Sequence, residues 1–355
     1  MPSDYKSNGE ICMKPLSKKS LDKKYAELGL PAVKIDLLHT YFRCFANLYG
    51  VITVHDIWEV FKHYEGSNTV RRKDFYAFSG VVQREAGNPF SVFELEEIYS
   101  GEESEKPEDR LVVNNKLVLS GYNRFIQIYA TVERQGNKPW FMPEKEVFLC
   151  FSEEQFYLTA VGKQMRQMIE GLRTSGIGKN HKGEPTTELL DIDGNPVAGK
   201  RLADFVFYTS DEQFDIEYAK SEVKKQQLRD EYRTSAAEKV LERIEMYLMT
   251  GGVFRDENMA QELEFLVNSL DRDFGVSLSQ SQLMQFTELF MDLNNNSNLW
   301  LNCGWKPTEL CKVSGSSLPS AISIGPNMKQ MFRSGELDQK EFEQTLAKMG
   351  IKLIN

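Results

Sequence analysis

The chain has 355 residues and a net charge of -9, with 52 Asp and Glu against 43 Lys and Arg. This length predicts two or more domains. Its 41% hydrophobic and 11% aromatic content is sufficient to build buried cores and excludes general disorder. The acidic total excludes a surface that is basic all over, although it allows one local basic face.

The sequence contains no sign of a membrane segment or of a disulfide framework. No apolar run reaches the roughly 18 residues that a membrane helix needs, and the N-terminal stretch has no apolar core like that of a secretory signal. The five cysteines are odd in number and scattered along the chain. This distribution favours reduced thiols, so we expect a cytoplasmic protein with no membrane contact.

Residues 1–27 are polar and rich in lysine. This composition predicts a flexible basic tail, and the alternative is a basic arm for nucleic acid.

A change of pattern at Pro31 marks the first predicted domain, residues 28–150. PAVKIDLLHTYFRCFANLYG has helical spacing and precedes the short β-branched run VITV, and two further helices are predicted in HDIWEVFKHYEG and RRKDFYAFSGVVQREAG. FSVFELEEIY and DRLVVNNKLVLS predict two strands on either side of the charged loop GEESEKPE. FIQIYATV and EVFLCF predict extra strands before residue 150.

The order helix, short strand, helix, helix, strand, loop, strand resembles that of winged-helix domains, over about residues 31–120. The resemblance implies a helix-turn-helix core with an attached β-hairpin. Many winged helices bind DNA, and others bind only proteins.

The outward face of the third predicted helix is the candidate binding surface. Cations at its two ends would suit phosphates, and small residues between them would allow close approach. Residues 51–90 nevertheless hold five acids and five bases, so a protein partner remains the alternative to duplex DNA. The candidate residues are Arg72, Lys73, Tyr76, Gln83 and Arg84.

Residues 151–210 predict a connector that consists of one helix and a series of loop and hairpin signals. GIGKNHKGE has the glycine spacing of a phosphate loop, but Glu184 stands where the lysine should be, so a solvated loop is the better interpretation. DIDGNP is interpreted as a turn.

Residues 211–355 predict an α-helical domain. Residues 211–250 contain no Gly or Pro, so they predict one long helix of roughly 60 Å. Its charged first half is interpreted as a solvated spacer between domains, or alternatively as a dimer contact.

The segment NNNSNLWLNCGWKPTEL, residues 294–310, is the second candidate site. A calcium loop starting at Asp292 is excluded because a serine replaces the required glycine and Cys303 replaces the bidentate glutamate. The favoured interpretation is a turn after a helix, anchored by Trp300 and Trp305. The alternative is a ligand-binding or base-stacking loop that includes Asn296.

This segment and the following IGPNMKQMFRSGELDQKEFEQTLAKMGIK resemble the C-terminal region of uncharacterised proteins from Gram-positive bacteria and their mobile elements. Some of these end in a SEC-C zinc motif. Cys303 and Cys311 lack the further Cys or His that this motif requires, so zinc is not carried over.

The sequence thus predicts an α+β, mainly α, chain with a winged-helix-like N-terminal domain bearing β-hairpins and an α-helical C-terminal domain. No catalytic constellation, metal site or cofactor site is predicted. The leading hypothesis is a non-catalytic DNA-associated regulator or accessory factor of a bacterial mobile element. The alternative is an adaptor or inhibitor that binds protein without nucleic-acid contact, and an enzyme is the least favoured class.

Overall fold

The computed structural model describes residues 15–99, 106–118, 125–153, 159–180, 182–250, 259–314, 321–323, 332, 338–348 and 352–354. It is mainly helical, with 62% helix, 8% strand and small sheets, which confirms the α+β, mainly α, class. The chain forms two compact units. Unit 1 comprises residues 1–155, 249–253 and 297–310, and unit 2 comprises residues 156–248, 254–296 and 311–355.

Unit 1 begins with four helices and a three-stranded sheet. In chain order the elements are α1 (Lys18–Glu27), α2 (Ala32–Tyr49), β1 (Val51–Thr53), α3 (Val54–Glu65), α4 (Arg72–Val82), β2 (Phe90–Phe93), α5 (Leu95–Ile98), β3 (Leu111–Asn114), α6 (Ile126–Gln135) and α7 (Lys145–Cys150). The sheet is antiparallel with the strand order β1-β3-β2. Ile52 and Val92 both lie opposite Val112, which places the three strands in register.

The core of unit 1 is built around α2. The apolar periodicity of α2, α3 and α4 buries one face of each helix, as the sequence predicts. The largest fully buried aromatic side chains of this core are Tyr41, Phe42, Phe45, Tyr49, Phe61, Phe75, Phe78 and Phe148.

Several predicted strands of unit 1 are wrong. FIQIYATV and EVFLCF form the helices α6 and α7, and the second half of FSVFELEEIY forms the short helix α5. In α6 the buried residues are Ile128, Thr131 and Gln135, which is helical spacing, so burial of one face overrides the β propensity of the individual residues. The helix ends at Gly136, which has a φ of 51°.

The predicted basic tail is also partly wrong, because residues 18–27 form α1. Ser17 caps this helix by accepting a bond from the Ser20 N–H at 3.3 Å. The Leu16 N–H donates to the Arg84 carbonyl at 2.9 Å, and the Tyr25 hydroxyl donates to Glu85 Oε2 at 2.6 Å, so α1 is fixed to the end of α4.

Unit 2 contains the predicted connector together with the C-terminal helices. Its elements are α8 (Ala160–Gly171), β4 (Ile177–Lys179), β5 (Pro185–Glu188), α9 (Ser210–Glu217), α10 (Glu222–Glu231), most of α11 (Ala236–Thr250), α12 (Met259–Phe274), α13 (Gln280–Asn296), β6 (Ala321–Ser323), α15 (Gln339–Lys348) and β7 (Lys352–Ile354). The helix α14 (Pro307–Ser314) begins in unit 1 and ends in unit 2. β4 and β5 form a hairpin, in agreement with the loop and hairpin signals of residues 174–204.

The prediction of one long helix over residues 211–250 is wrong, because α9, α10 and α11 are separate. Ser221 accepts a bond from the Lys224 N–H and Ser235 accepts one from the Glu238 N–H, so each serine starts a new helix. Within unit 2 the Tyr232 hydroxyl then reaches back to Asp215 Oδ2 at 3.0 Å. The solvated spacer and the helical dimer contact both assumed a continuous helix that does not form.

DIDGNP is a turn, as predicted, since Asp191 Oδ1 accepts bonds from the N–H groups of Asp193 and Asn195. Among the described residues, no helix is long and apolar enough to cross a membrane. The same residues contain no group of three or more His, Cys, Asp or Glu side chains arranged to hold a metal ion.

Candidate partner-binding face

The α4 face is the outward side of α4, and the described residues 94–99 and 106–110 of the connection between β2 and β3 supply its neighbours. Phe75, Phe78 and Val82 point into the core, as predicted. Lys73 and Ala77 are exposed, whereas Tyr76 is 9% exposed and therefore belongs largely to the buried side. The predicted outward face is thus narrower than the sequence suggests.

Arg72 lies at the N-terminal end of α4 and is engaged by neighbouring side chains. Its Nε donates to the Tyr76 hydroxyl at 2.8 Å, and its guanidinium carbon lies 5.2 Å from the centre of the Tyr76 ring. Its Nη2 lies 3.2 Å from Glu108 Oε2, in the segment that precedes β3. Arg72 is therefore positioned by a carboxylate from this segment.

Arg110 covers the middle of the α4 face. Its Nε donates to Glu94 Oε1 at 2.7 Å and its Nη1 donates to Ser79 Oγ at 3.2 Å. A Cβ on Gly80 would lie 3.0 Å from Arg110 Nη1, so glycine at this position allows the guanidinium to lie close to the helix. The Arg110 and Glu94 side chains are 17% and 15% exposed, which makes this ion pair largely buried.

The C-terminal end of α4 also meets carboxylates. Gln83 Nε2 donates to Glu97 Oε2 at 3.3 Å, and the same oxygen accepts the Glu94 N–H at 2.8 Å, which caps α5. Burial raises the pKa of Glu97 above its usual range, and the bonds from Glu94 and Gln83 oppose the shift only in part. Arg84 is half-buried beside α1.

Residues 94–109 contain eight carboxylates and one lysine. Glu94, Glu97 and Glu108 of this segment contact the α4 face directly. The structure therefore places Arg72, Lys73 and Tyr76 on α4 and Gln83 and Arg84 in the turn that follows it. It also brings Glu108 to Arg72 and Glu97 to Gln83. Sequence reasoning overlooked Arg110 and its partner Glu94, although the cluster of acids before β3 was a visible signal.

The Asn/Trp loop, residues 297–310, lies in unit 1 and packs against the end of α2. Trp300 is 2% exposed and its Nε1 donates to the Asn47 carbonyl at 2.9 Å. A Cβ on Gly50 would lie 2.6 Å from the Trp300 indole. This close packing favours the structural interpretation of Trp300 over a stacking platform.

The other two predicted residues of this second site belong to different units. Trp305 is half-buried, and its Nε1 donates to the Pro139 carbonyl at 2.8 Å. Its ring packs against that of Phe141, with 4.7 Å between the ring centroids. Asn296 is exposed at the end of α13 in unit 2, where its side chain bonds back to Asp292. Because Asp292 to Asn296 are helical, this stretch does not form the loop that a calcium ion needs.

Comparisons with known proteins give no relative for this chain. No protein-family model matches it, and neither a curated protein nor a solved structure does. Any function must therefore be argued from the α4 face itself.

Proposed function

We propose that unit 1 is a winged-helix-like module and that the chain is a non-catalytic binding protein whose α4 face contacts a protein rather than duplex DNA. The element order and the antiparallel strand order β1-β3-β2 support the winged-helix-like part of this proposal. The choice of partner rests on one observation, the carboxylate-rich segment beside α4.

That segment matters because nucleic-acid affinity depends on cations that neutralise phosphates. Arg72 is paired with Glu108, and Arg110 is paired with Glu94. A DNA backbone at the α4 face would have to displace these carboxylates and would meet their charges at short range. A protein surface with basic side chains meets no such repulsion and gains complementary charge.

A photo-crosslinking amino acid at Ala77 tests this proposal, because Ala77 is exposed in the middle of the α4 face. In cells that express the full chain, we expect adducts with protein and none with DNA. The same amino acid at Gln226, exposed on α10, serves as the matched control and should not give the same adducts.

Measuring the binding of labelled random duplex DNA tests the opposite possibility, that the α4 face contacts DNA. We expect no binding at about 50 mM salt. Binding that weakens by about one log unit per log unit of salt for each phosphate contact, and that Arg84→Glu abolishes in a folded chain, would overturn the proposal in favour of DNA.

A further inference from the structure

β2 lies at one edge of the sheet of unit 1, and its outer side pairs with no strand in the described residues. The Asn115 N–H donates to the Pro89 carbonyl at 3.0 Å, and this fixes which residues of β2 bond to β3. Because bonding alternates along an antiparallel pair, Ser91 points its backbone groups at β3, whereas Phe90 and Val92 point theirs away from it. Within the described part of the chain, no other group bonds to these N–H and C=O groups of Phe90 and Val92.

At the opposite edge of the sheet, one carbonyl of β1 is bonded by a side chain of unit 1. Gln135 Nε2 donates to the carbonyls of Tyr49, Val51 and Trp300, at 2.8, 3.1 and 3.0 Å. On the outer side of β2, by contrast, the backbone groups of Phe90 and Val92 have no bond from the described residues. These two residues are 4% and 3% exposed, so the unpaired groups lie at a largely covered edge.

A cleft of about 190 Å³ runs along this edge. It is lined by residues 90–93 of β2 and also by Gln83, Asn88 and Glu97. The Nδ2 of Asn88 is buried and has no hydrogen-bond partner among the described residues, so a donor beside the start of β2 is unused. Such a donor is suited to a carbonyl of an incoming chain.

The charge of the cleft selects the side chain that would enter it. Glu85 and Glu97 line it, and none of its described lining residues is a cation. Glu97 Oε2 is used within the α5 cap, whereas Oε1 accepts no bond from the described residues. A lysine or arginine side chain would bring the donor and the positive charge that this carboxylate can use.

We propose that an extended segment of a partner protein adds to β2 as a fourth strand, with a lysine or arginine side chain in the cleft beside Glu97. The inference rests on the proposed function and names the chemistry of the protein partner. Backbone bonds to Phe90 and Val92 supply affinity, and the cleft supplies the preference for a basic side chain.

The first test uses heptapeptides selected on the full chain from a random displayed library, followed by amide exchange measured by NMR. We expect selected peptides to be enriched in Lys or Arg at one position and to slow exchange of the Phe90 and Val92 amides about tenfold. The Ser91 amide is the internal control, because it already faces β3. Absence of binding peptides, or unchanged exchange at Phe90 and Val92, overturns the inference. Slow exchange of both amides in the chain without peptide would mean that the chain fills its own edge, which overturns it too.

The second test changes the peptide and leaves the protein intact. N-methylation of peptide amides that face β2 should weaken binding about tenfold, whereas N-methylation of the intervening amides should have little effect. Equal loss at both sets of positions would contradict strand pairing. Glu97→Gln should abolish a roughly tenfold preference for lysine over methionine in the cleft, and it keeps the α5 cap because glutamine also serves there. An unchanged preference would overturn the role of Glu97.

These outcomes are separable from those of the proposed function. Salt-dependent DNA binding would defeat the proposed function, whatever the peptides do. Protein adducts at Ala77 combined with no peptide binding at β2 would defeat this inference alone.

Discussion

His39 on α2 lies at the contact between α1 and the end of α4, where its surroundings favour the neutral form of the ring. Its ring packs edge-on against Phe78 at 5.0 Å between centroids, and its Nε2 lies 3.5 Å from Glu85 Oε2. Burial lowers the pKa of His39, Glu85 and Asp36 oppose this effect, and Arg43 adds to it.

The lowered pKa predicts a loss of stability in mild acid. Between the folded pKa and the unfolded value of about 6.5, the unfolded chain binds more protons, so the free energy of unfolding falls as the pH falls through this window. We expect the urea midpoint of the wild type to decrease more between pH 7.5 and 5.5 than that of His39→Gln. The two proteins are compared by the change of the urea midpoint with pH, and not by the midpoint itself, because the substitution also removes the ring contact with Phe78. Parallel pH profiles of the two proteins would contradict the prediction.

Residue-scale patterns also show what the sequence can and cannot specify about the candidate face. The inward positions Phe75, Phe78 and Val82 follow from apolar spacing alone. The partner of Arg72 does not, because Glu108 is 36 residues away and meets it only after the sheet has formed. Side-chain pairing of this kind depends on tertiary structure, which local pattern does not encode.

At the scale of elements, strong apolar periodicity is the reliable signal. It locates α2 and α3 correctly, with their glycine stops at Gly50 and Gly66. It also locates α4, but this helix ends at Val82 and not at the predicted stop, Gly87. It fails for α6, where Ile, Tyr, Thr and Val favour a strand locally but one helical face is buried. It also fails for residues 211–250. A serine in a charged stretch can lie on the surface of a continuous helix or cap the start of a new one, and the sequence pattern does not distinguish the two.

The separation of α9 from α11 creates a testable ion pair inside unit 2. Lys239 Nζ lies 2.5 Å from Glu212 Oε1, and the two side chains are 6% and 19% exposed. Lys239→Met leaves a carboxylate without its partner in a largely buried place, so we expect a loss of about 3 kcal/mol in the free energy of unfolding.

The double variant Lys239→Met with Glu212→Met should recover most of this loss, because no unpaired charge is left. Chemical denaturation of the two single variants and the double variant measures the coupling directly. Additive losses in the double variant would show that the two side chains act independently.

At the scale of the whole molecule, each of the two units is assembled from segments that are far apart in the sequence. The boundaries of the two units differ from those of the predicted domains 28–150, 151–210 and 211–355. The predicted connector lies in unit 2, and residues 297–310 lie in unit 1. The chain passes from one unit to the other five times. Cleavage between Lys220 and Arg233 would therefore leave residues 297–310 of unit 1 on the C-terminal product. A spacer between two domains would instead predict two self-contained pieces.

The contribution of the Asn/Trp loop to the stability of unit 1 can be measured, because this loop is far in sequence from the rest of the unit. Besides the Trp300 bond to Asn47, the Phe141 N–H donates to the Cys303 carbonyl at 3.0 Å. Gln135 bonds to the Trp300 carbonyl as well as to β1, so the loop and the edge of the sheet share one donor. A fragment of residues 1–155 would lack the bonds that Asn47, Phe141 and Gln135 make with this loop.

We expect such a fragment to lose at least the 3–5 kcal/mol that removal of a buried tryptophan typically costs. A peptide of residues 297–310 added in trans should raise its thermal midpoint in a concentration-dependent way, because the peptide binds the folded state. The same peptide with Trp300→Ala should have no effect, since the indole fills the space that Gly50 leaves open. Trp305→Ala should retain part of the effect, because Trp305 is only half-buried. If all three peptides left the fragment unchanged while circular dichroism showed it to be fully folded, the loop would be dispensable for the fold of unit 1.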